Sequence, residues 1–298
     1  MRFFKVVECV ALMNKADMAA MEAERRKNER MYKRMLMPCV RQIDKQIADQ
    51  EEPSKLIARL RQFSENLGFL KIVERAVARM IKSVGFSVRG TWKQAAKSST
   101  HGKTVQSSLR NDVHNTAVRA AASEIVANNS RLIKTVPQDI ASQFSDYALQ
   151  MTTKGVRPAE IVEEMKKKAP QLAAYQIRRI ARTESAKAAT AMMQARCQAI
   201  GCEWYLWHTC EDERVRSTHA HMEGVLCRWS DPPNPEVLFP AKGIKAHGAY
   251  HPGGIYNCRC IALPMIDPED IRFPCKAHVR GRIVTVGSLK EFNRLSAA

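Results

Sequence analysis

Apolar residues recur at three- and four-residue spacing through most of the first 200 residues, then give way to short aromatic and β-branched runs. From about Lys15 to Phe63, Tyr32, Leu36, Val40, Ile43 and Ile47 line one side of a helical pattern rich in Ala, Met, Glu, Lys, Arg and Gln. One long amphipathic helix or a pair is predicted, with Pro38 as a kink or break and Glu51-Glu52-Pro53-Ser54 as the turn into the next helix. Met18, Met21, Met31, Met35 and Met37 read as packing surface, with a partner-binding face as the alternative. A further helix is predicted over Phe69 to Ser83, where Leu70, Val73, Ala76, Val77, Met80 and Ile81 form a stripe that Gly85 stops. The segment from Arg89 to Ser108 has no clean period and is expected to be a mobile connector.

Helical spacing returns from Val113 to Gln150, interrupted at Asn128-Asn129-Ser130 and at Pro137, with a helix over 138–150. Lys154-Gly155 marks a turn, and Pro158 suits the first position of a helix to Lys168, whose three closing lysines would favour the negative end of the helix dipole. The best-defined helix runs from Leu172 to Ile200 and closes at Gly201. Beyond it, strands are predicted at Glu203–His208, Val225–Trp229, Arg259–Met265 and Arg282–Val286, separated by a proline-rich loop and a glycine-rich one. Ser288-Leu289-Lys290-Glu291 has the pattern of a capping box opening a short helix. The expected class is α+β: a long, mostly helical N-terminal region and a small C-terminal α+β domain with long loops.

Charge sharpens this division. Residues 1–200 hold 36 Lys+Arg against 19 Asp+Glu, whereas residues 201–298 hold 12 against 11, so nearly all of the net +18 lies in the helical part. An excess confined to one region suits a polyanion such as double-stranded DNA, bound without reading its sequence; solvated Lys-rich helix faces and an anionic membrane surface are the other readings. The apolar run Phe3–Met13 is short and interrupted by Lys5 and Glu8, so neither a signal peptide nor a membrane span is expected. Nine cysteines at irregular spacing do not form a secreted disulfide framework, and reduced thiols are expected.

Six of the eight histidines and seven of the nine cysteines fall between residues 197 and 278. His219, His251, Cys258 and Cys260 are the candidate ligands of one structural zinc ion, since two thiolates and two imidazoles complete a tetrahedron. The alternative is that both cysteines are small buried apolar residues and both histidines anchor loops, with Asp212 pairing to Arg214, Arg216 or Arg259. A second class is a zinc-dependent nucleic-acid-modifying enzyme. His221-Met222-Glu223 with Cys258-Arg259-Cys260 would stand for a deaminase, although Asn-Cys-x-Cys replaces the Pro-Cys-x-x-Cys such sites need; Asp212, Arg216 and His219 would stand for a nuclease.

The ordered series Asp212-x-Arg214-Val215-Arg216-x-x-His219-x-x-x-x-Gly224, a proline-rich loop, then His251-Pro252-Gly253-x-x-x-Asn257-Cys258-Arg259-Cys260, resembles the C-terminal signature of the phage Mu F-like head morphogenesis family. Ala181-Arg182-Thr183-Glu184 and the Gly201–Trp207 segment stand where that family has its Ala-Arg-Thr-Glu helix and Gly-to-Trp strand. The Asn-Asn-Ser-Arg-Leu-Ile-Lys run at 128–134 is similar to a step before another helix of the family. Where many relatives carry Cys-x-x-Cys, this chain has Arg216 and His219. The resemblance implies a non-enzymatic minor capsid protein of the virion's capsid interior, made in the host cytoplasm. Portal, capsid or scaffold protein and packaged DNA would be its partners, and no membrane would be involved. Arg182, Glu184, Asp212, Arg214, Arg216, His219, Gly224 and Arg259 would be its structural motif, with Arg182, Thr183 and Glu184 tying their helix to the following sheet and Lys187 as a local partner for Glu184. The implied division is a helical region over 1–110 contacting partner or DNA, a Mu F-like domain over 111–266 (helices 111–200, strand and loop module 201–266), and an extension over 267–298 with a strand and short helix. About thirty residues after 266 are expected to be too few for an added catalytic domain.

Overall fold

The helical stripes extend past most of the punctuation in the sequence. In the computed structural model, which describes residues 15–99 and 116–297, the helices are α1 (Lys15–Ile47), α2 (Pro53–Phe63), α3 (Leu67–Ser98), α4 (Thr116–Thr153) and α5 (Pro158–Ala199). The Phe3–Met13 run and the connector beyond residue 99 lie outside the described residues.

Prolines 38, 137 and 170 sit inside α1, α4 and α5 without ending them, against the expected breaks at Pro137 and between Lys168 and Leu172. An interior proline costs a helix about 3 kcal/mol. Around Pro137, however, Ile133, Val136, Ile140 and Phe144 are all at most 2% exposed, and burying each such side chain contributes about 1.5–3 kcal/mol. Met165 and Ile177, with Ala169 and Ala173 between them, are fully buried around Pro170. The lysines at 166–168 are therefore mid-helix, and the dipole explanation fails. Lys166 pairs with Glu163 and Lys168 with Glu164, while Lys168 also lies over the Tyr147 ring.

Gly85 likewise fails to stop α3. The helix runs through the first part of the expected connector because Val84, Val88, Trp92, Ala95 and Ala96 prolong its buried stripe, which outweighs roughly 1 kcal/mol per interior glycine. Phe69 rather than Leu70 belongs to that stripe, together with Val73, Ala76, Val77 and Met80.

The C-terminal part builds a five-stranded mixed sheet from β1 (Trp204–His208), β2 (Val225–Arg228), β3 (Ile261–Met265), β4 (Cys275–Val279) and β5 (Arg282–Val286), in the order β3-β1-β2-β4-β5. Four strands fall where predicted; β4 was not anticipated, because Cys275-Lys276-Ala277-His278-Val279 follows a proline and carries no aromatic. β1, between β3 and β2, is antiparallel to both neighbours, whereas β2, at the centre, and β4 run parallel. Short helices α6 (Ser217–Ala220) and α7 (Pro235–Leu238) interrupt the loops. The last helix is α8 (Leu289–Ala297), where Ser288 Oγ accepts the Glu291 amide and Glu291 returns a carboxylate oxygen to the Gly287 amide.

The described residues divide into two compact units: 15–26, 84–99, 116–122 and 186–297 in one, and 27–83 with 123–185 in the other. The second is all helical among its described residues, with Tyr32, Leu36, Ile43, Leu60, Phe69, Ile140 and Met165 in its core. In the first, Trp204, Leu206, Leu226, Leu263, Met265 and Phe292 form the core on one sheet face, and Met18 and Met21 of α1 pack against it. Those two methionines thus serve as packing surface.

Candidate functional site

All five residues of β1 are buried, and its side chains alternate between two environments. Trp204 and Leu206 enter the hydrophobic core, while Tyr205 and Trp207 turn to the opposite face, where the histidine and cysteine loops gather.

There His219, on α6, is 2% exposed, its ring edge-on to Trp207. Its Nδ1 faces two sulfurs, Cys260 Sγ at 3.4 Å and Cys258 Sγ at 3.6 Å; its Nε2 lies 2.8 Å from the Tyr250 hydroxyl. Tyr250 in turn donates to Glu236 Oε1 at 2.5 Å. Burial pushes the Tyr250 hydroxyl far above its ordinary pKa, and the hydrogen bond to Glu236 adds to this. The hydrogen bond from Cys260 holds the Cys258 thiol low, and the same bond together with burial pushes Cys260 up. The Gly253 amide also donates to Cys258 Sγ at 3.3 Å.

His251 does not join them. Its Nδ1 meets the Tyr205 hydroxyl at 3.1 Å, its ring packs against Tyr205 and Trp229, and burial lowers its pKa to about 4. Of the four residues expected around one point, the structure brings together His219, Cys258 and Cys260 only. Tyr250 and Glu236 were missed by sequence reasoning. The available signal was their place beside the motifs, Tyr250 immediately before His251 and Glu236 in the proline-rich loop.

The signature's charged residues lie nearer the surface. Both guanidinium N–H groups of Arg259 donate to the Asp212 carboxylate, which also accepts the Arg214 amide at 3.0 Å. The Arg259 bond holds Asp212 well below the usual carboxylate range, against an opposing effect of burial. Arg214 pairs with Asp212 at 3.4 Å, but Arg216 turns away, donating to the Tyr256 carbonyl at 2.9 Å and lying over the Tyr256 ring. Gly224, at φ +73, takes a left-handed turn that delivers its amide to the Trp207 carbonyl at 3.0 Å, so the motif's glycine is a backbone requirement. Asn257 adopts φ +56 just before Cys258, a conformation asparagine tolerates better than most residues.

A second cluster surrounds the end of β1. His208 Nδ1 lies 3.0 Å from Glu223 Oε1, and Glu211 is close enough to complete a triad. Glu223 is thereby engaged away from the cysteines, and His221 stacks on Phe239. Among the described residues, the ligand group around Cys258 and Cys260 includes His219 and not His221.

Arg182 and Glu184 belong to the helical unit, where each bonds to a neighbouring helix. Arg182 Nε donates to Glu29 on α1 at 2.9 Å. Glu184, buried, accepts from Asn129 Nδ2 on α4 at 3.4 Å, and Asn129 Oδ1 accepts from the Tyr32 hydroxyl at 3.0 Å. Arg182 and Glu184, two positions apart on α5, thus secure two different neighbours, since helical side chains at i and i+2 project about 200° apart.

Residues 142–263 match the family described as Phage Mu protein F like protein. That segment is similar to the Mu F-like family over 142–263. It holds the Arg182–Glu184 motif, the Asp212–His219 series and both cysteines of the cluster. An uncharacterized protein of Haemophilus influenzae is 28% identical to this chain over 194 residues, covering 62% of this chain and 39% of the relative, so the chain spans well under half of that relative's length. No solved structure matches. Among the described residues, no helix is long and apolar enough to cross a membrane.

Proposed function

We propose that this chain is a phage head morphogenesis protein, a minor structural component of the virion interior that acts by binding rather than by catalysis. The similarity to the Mu F-like family supports the assignment to head assembly. The observation that carries the non-enzymatic part is where the signature side chains are spent: His219, Cys258 and Cys260 are at most 4% exposed, and Asp212, Arg216 and Arg259 bind other loops. Side chains used this way hold a loop-rich domain in shape.

Portal, capsid or scaffold protein is the proposed partner class, with packaged double-stranded DNA as a non-specific second ligand of the basic region. The net charge of +18 supports the DNA contact. The deciding experiment is copurification of the tagged chain with a portal or capsid oligomer from cells assembling heads; recovery of the chain alone from such cells would overturn the reading. For DNA, log affinity should fall linearly with log salt, and a flat response would remove the phosphate contacts.

A further inference from the structure

We propose that His219 Nδ1, Cys258 Sγ and Cys260 Sγ bind one zinc ion, supported from behind by Tyr250 and Glu236. This inference stands apart from the assembly role.

The three donor atoms lie within 4.8 Å of one another, and the two nitrogen–sulfur separations are 3.4 and 3.6 Å. Tetrahedral zinc with bonds of about 2.3 Å to sulfur and 2.0 Å to nitrogen places S and N about 3.5 Å apart. Hydrogen bonding alone accounts for this convergence poorly. A ring nitrogen has one lone pair or one proton, so Nδ1 can hydrogen-bond only one of the two sulfurs it faces, and the other must turn to its neighbouring thiol or to the Gly253 amide. A cation at the common point serves all three donors.

The protein also sets the tautomer such a site needs. Tyr250 has a single hydroxyl proton, and it goes to Glu236. His219 Nε2 must then be the donor to the Tyr250 oxygen, which leaves the Nδ1 lone pair facing the sulfurs. Zinc-bound imidazoles are commonly held through the far nitrogen in this manner, and a carboxylate reached through a tyrosine performs the holding here. Charge points the same way. Glu236 is buried with its Oε2 lacking a hydrogen-bond partner, and its close basic neighbour is His219 Nε2 at 3.6 Å. A dication would offset that buried carboxylate and the two thiolates.

Among the described residues no fourth His, Cys, Asp or Glu ligand atom joins the group. The fourth corner falls to a small exogenous ligand such as water, and the burial of all three protein donors shuts out anything larger. His251 is excluded, so the ion fastens α6 to the Cys-x-Cys loop.

The test is metal analysis of the full chain purified under reducing conditions, with cobalt substitution as a second readout. Expected are about one zinc per chain and, after exchange, the visible bands of a thiolate-bound cobalt ion. Cys258→Ser, Cys260→Ser and His219→Ala should each lower zinc content at least about tenfold, His251→Ala should retain it, and Tyr250→Phe should weaken zinc binding by about 10–100-fold. A wild-type chain that neither carries zinc nor takes it up, or a cobalt form without thiolate bands, would overturn the site even if every variant misfolds. Loss of zinc in His251→Ala with retention in His219→Ala would overturn the ligand assignment.

Discussion

Glu223 Oε2 accepts two hydrogen bonds from Thr209, one from its amide and one from its hydroxyl, each 2.6 Å long. The other carboxylate oxygen holds His208 Nδ1, so one side chain fixes both the end of β1 and the loop leaving it.

Burial disfavours the charged His208 ring, but the hydrogen bond and charge of Glu223, helped by Glu211 and Glu22, outweigh it and raise the pKa. A raised folded-state pKa means stability that is full below the unfolded value of about 6.5 and lost as pH rises through the folded value. The melting-temperature advantage of the wild type over His208→Gln should be largest in mildly acidic buffer and shrink as pH rises. An advantage that grows with pH would contradict the ion pair.

His251 should behave with the opposite sign. Burial lowers its pKa to about 4, so its contribution is present above the unfolded value and lost as pH falls toward 4. Proton NMR titration should give His208 a midpoint above the ordinary histidine value and His251 one well below it. A common midpoint for the two rings would refute both environments.

Tyr32→Phe should lower stability by about 1–3 kcal/mol, since it strips Asn129 Oδ1 of its donor beside the buried Glu184. The expected signature in urea is a lower midpoint with unchanged slope. A midpoint within error of the wild type would mean that water replaces the hydroxyl.

Gly253→Ala and Gly155→Ala separate backbone strain from crowding. Both glycines have positive φ, but a Cβ at Gly155 meets nothing within 4 Å, whereas one at Gly253 would lie 3.2 Å from the Ala186 carbonyl oxygen. The Gly253 substitution should cost at least about 1 kcal/mol more. Equal unfolding midpoint shifts would show that the loop moves freely away from α5.

Arg259→Lys should cost less than about 1 kcal/mol, because Asp212 is 35% exposed and solvent screens the pair. With the Asp212 pKa depressed, that contribution is present above about pH 4 and lost as the solution is acidified toward the folded value. A cost that persists in strong acid would place the effect in packing rather than charge.

How much could be read from the chain varied with the range of the interaction. Periodicity placed Tyr32, Leu36, Val40, Ile43 and Ile47 on one buried face, and all five are buried. It failed at Pro137, Pro170 and Gly85, where local cost suggested an end and distant packing overrode it. In the cluster, residue type singled out His219, Cys258 and Cys260, but no spacing rule could exclude His251, which meets Tyr205 and Trp229 instead.

Residue order by itself determined the α+β class, four of the five strands, the Mu F-like motifs and the concentration of basic charge in the first 200 residues, all of which depend on neighbours within a few positions. Only the tertiary structure decided that Glu223 serves His208, that Arg182 and Glu184 bind helices, and that Tyr250 and Glu236 stand behind His219. Those pairings join residues separated in the chain: the packing of α5 beside α1 and α4 selects the partners of Arg182 and Glu184, and the loops that β1 brings together select those of His208 and His219.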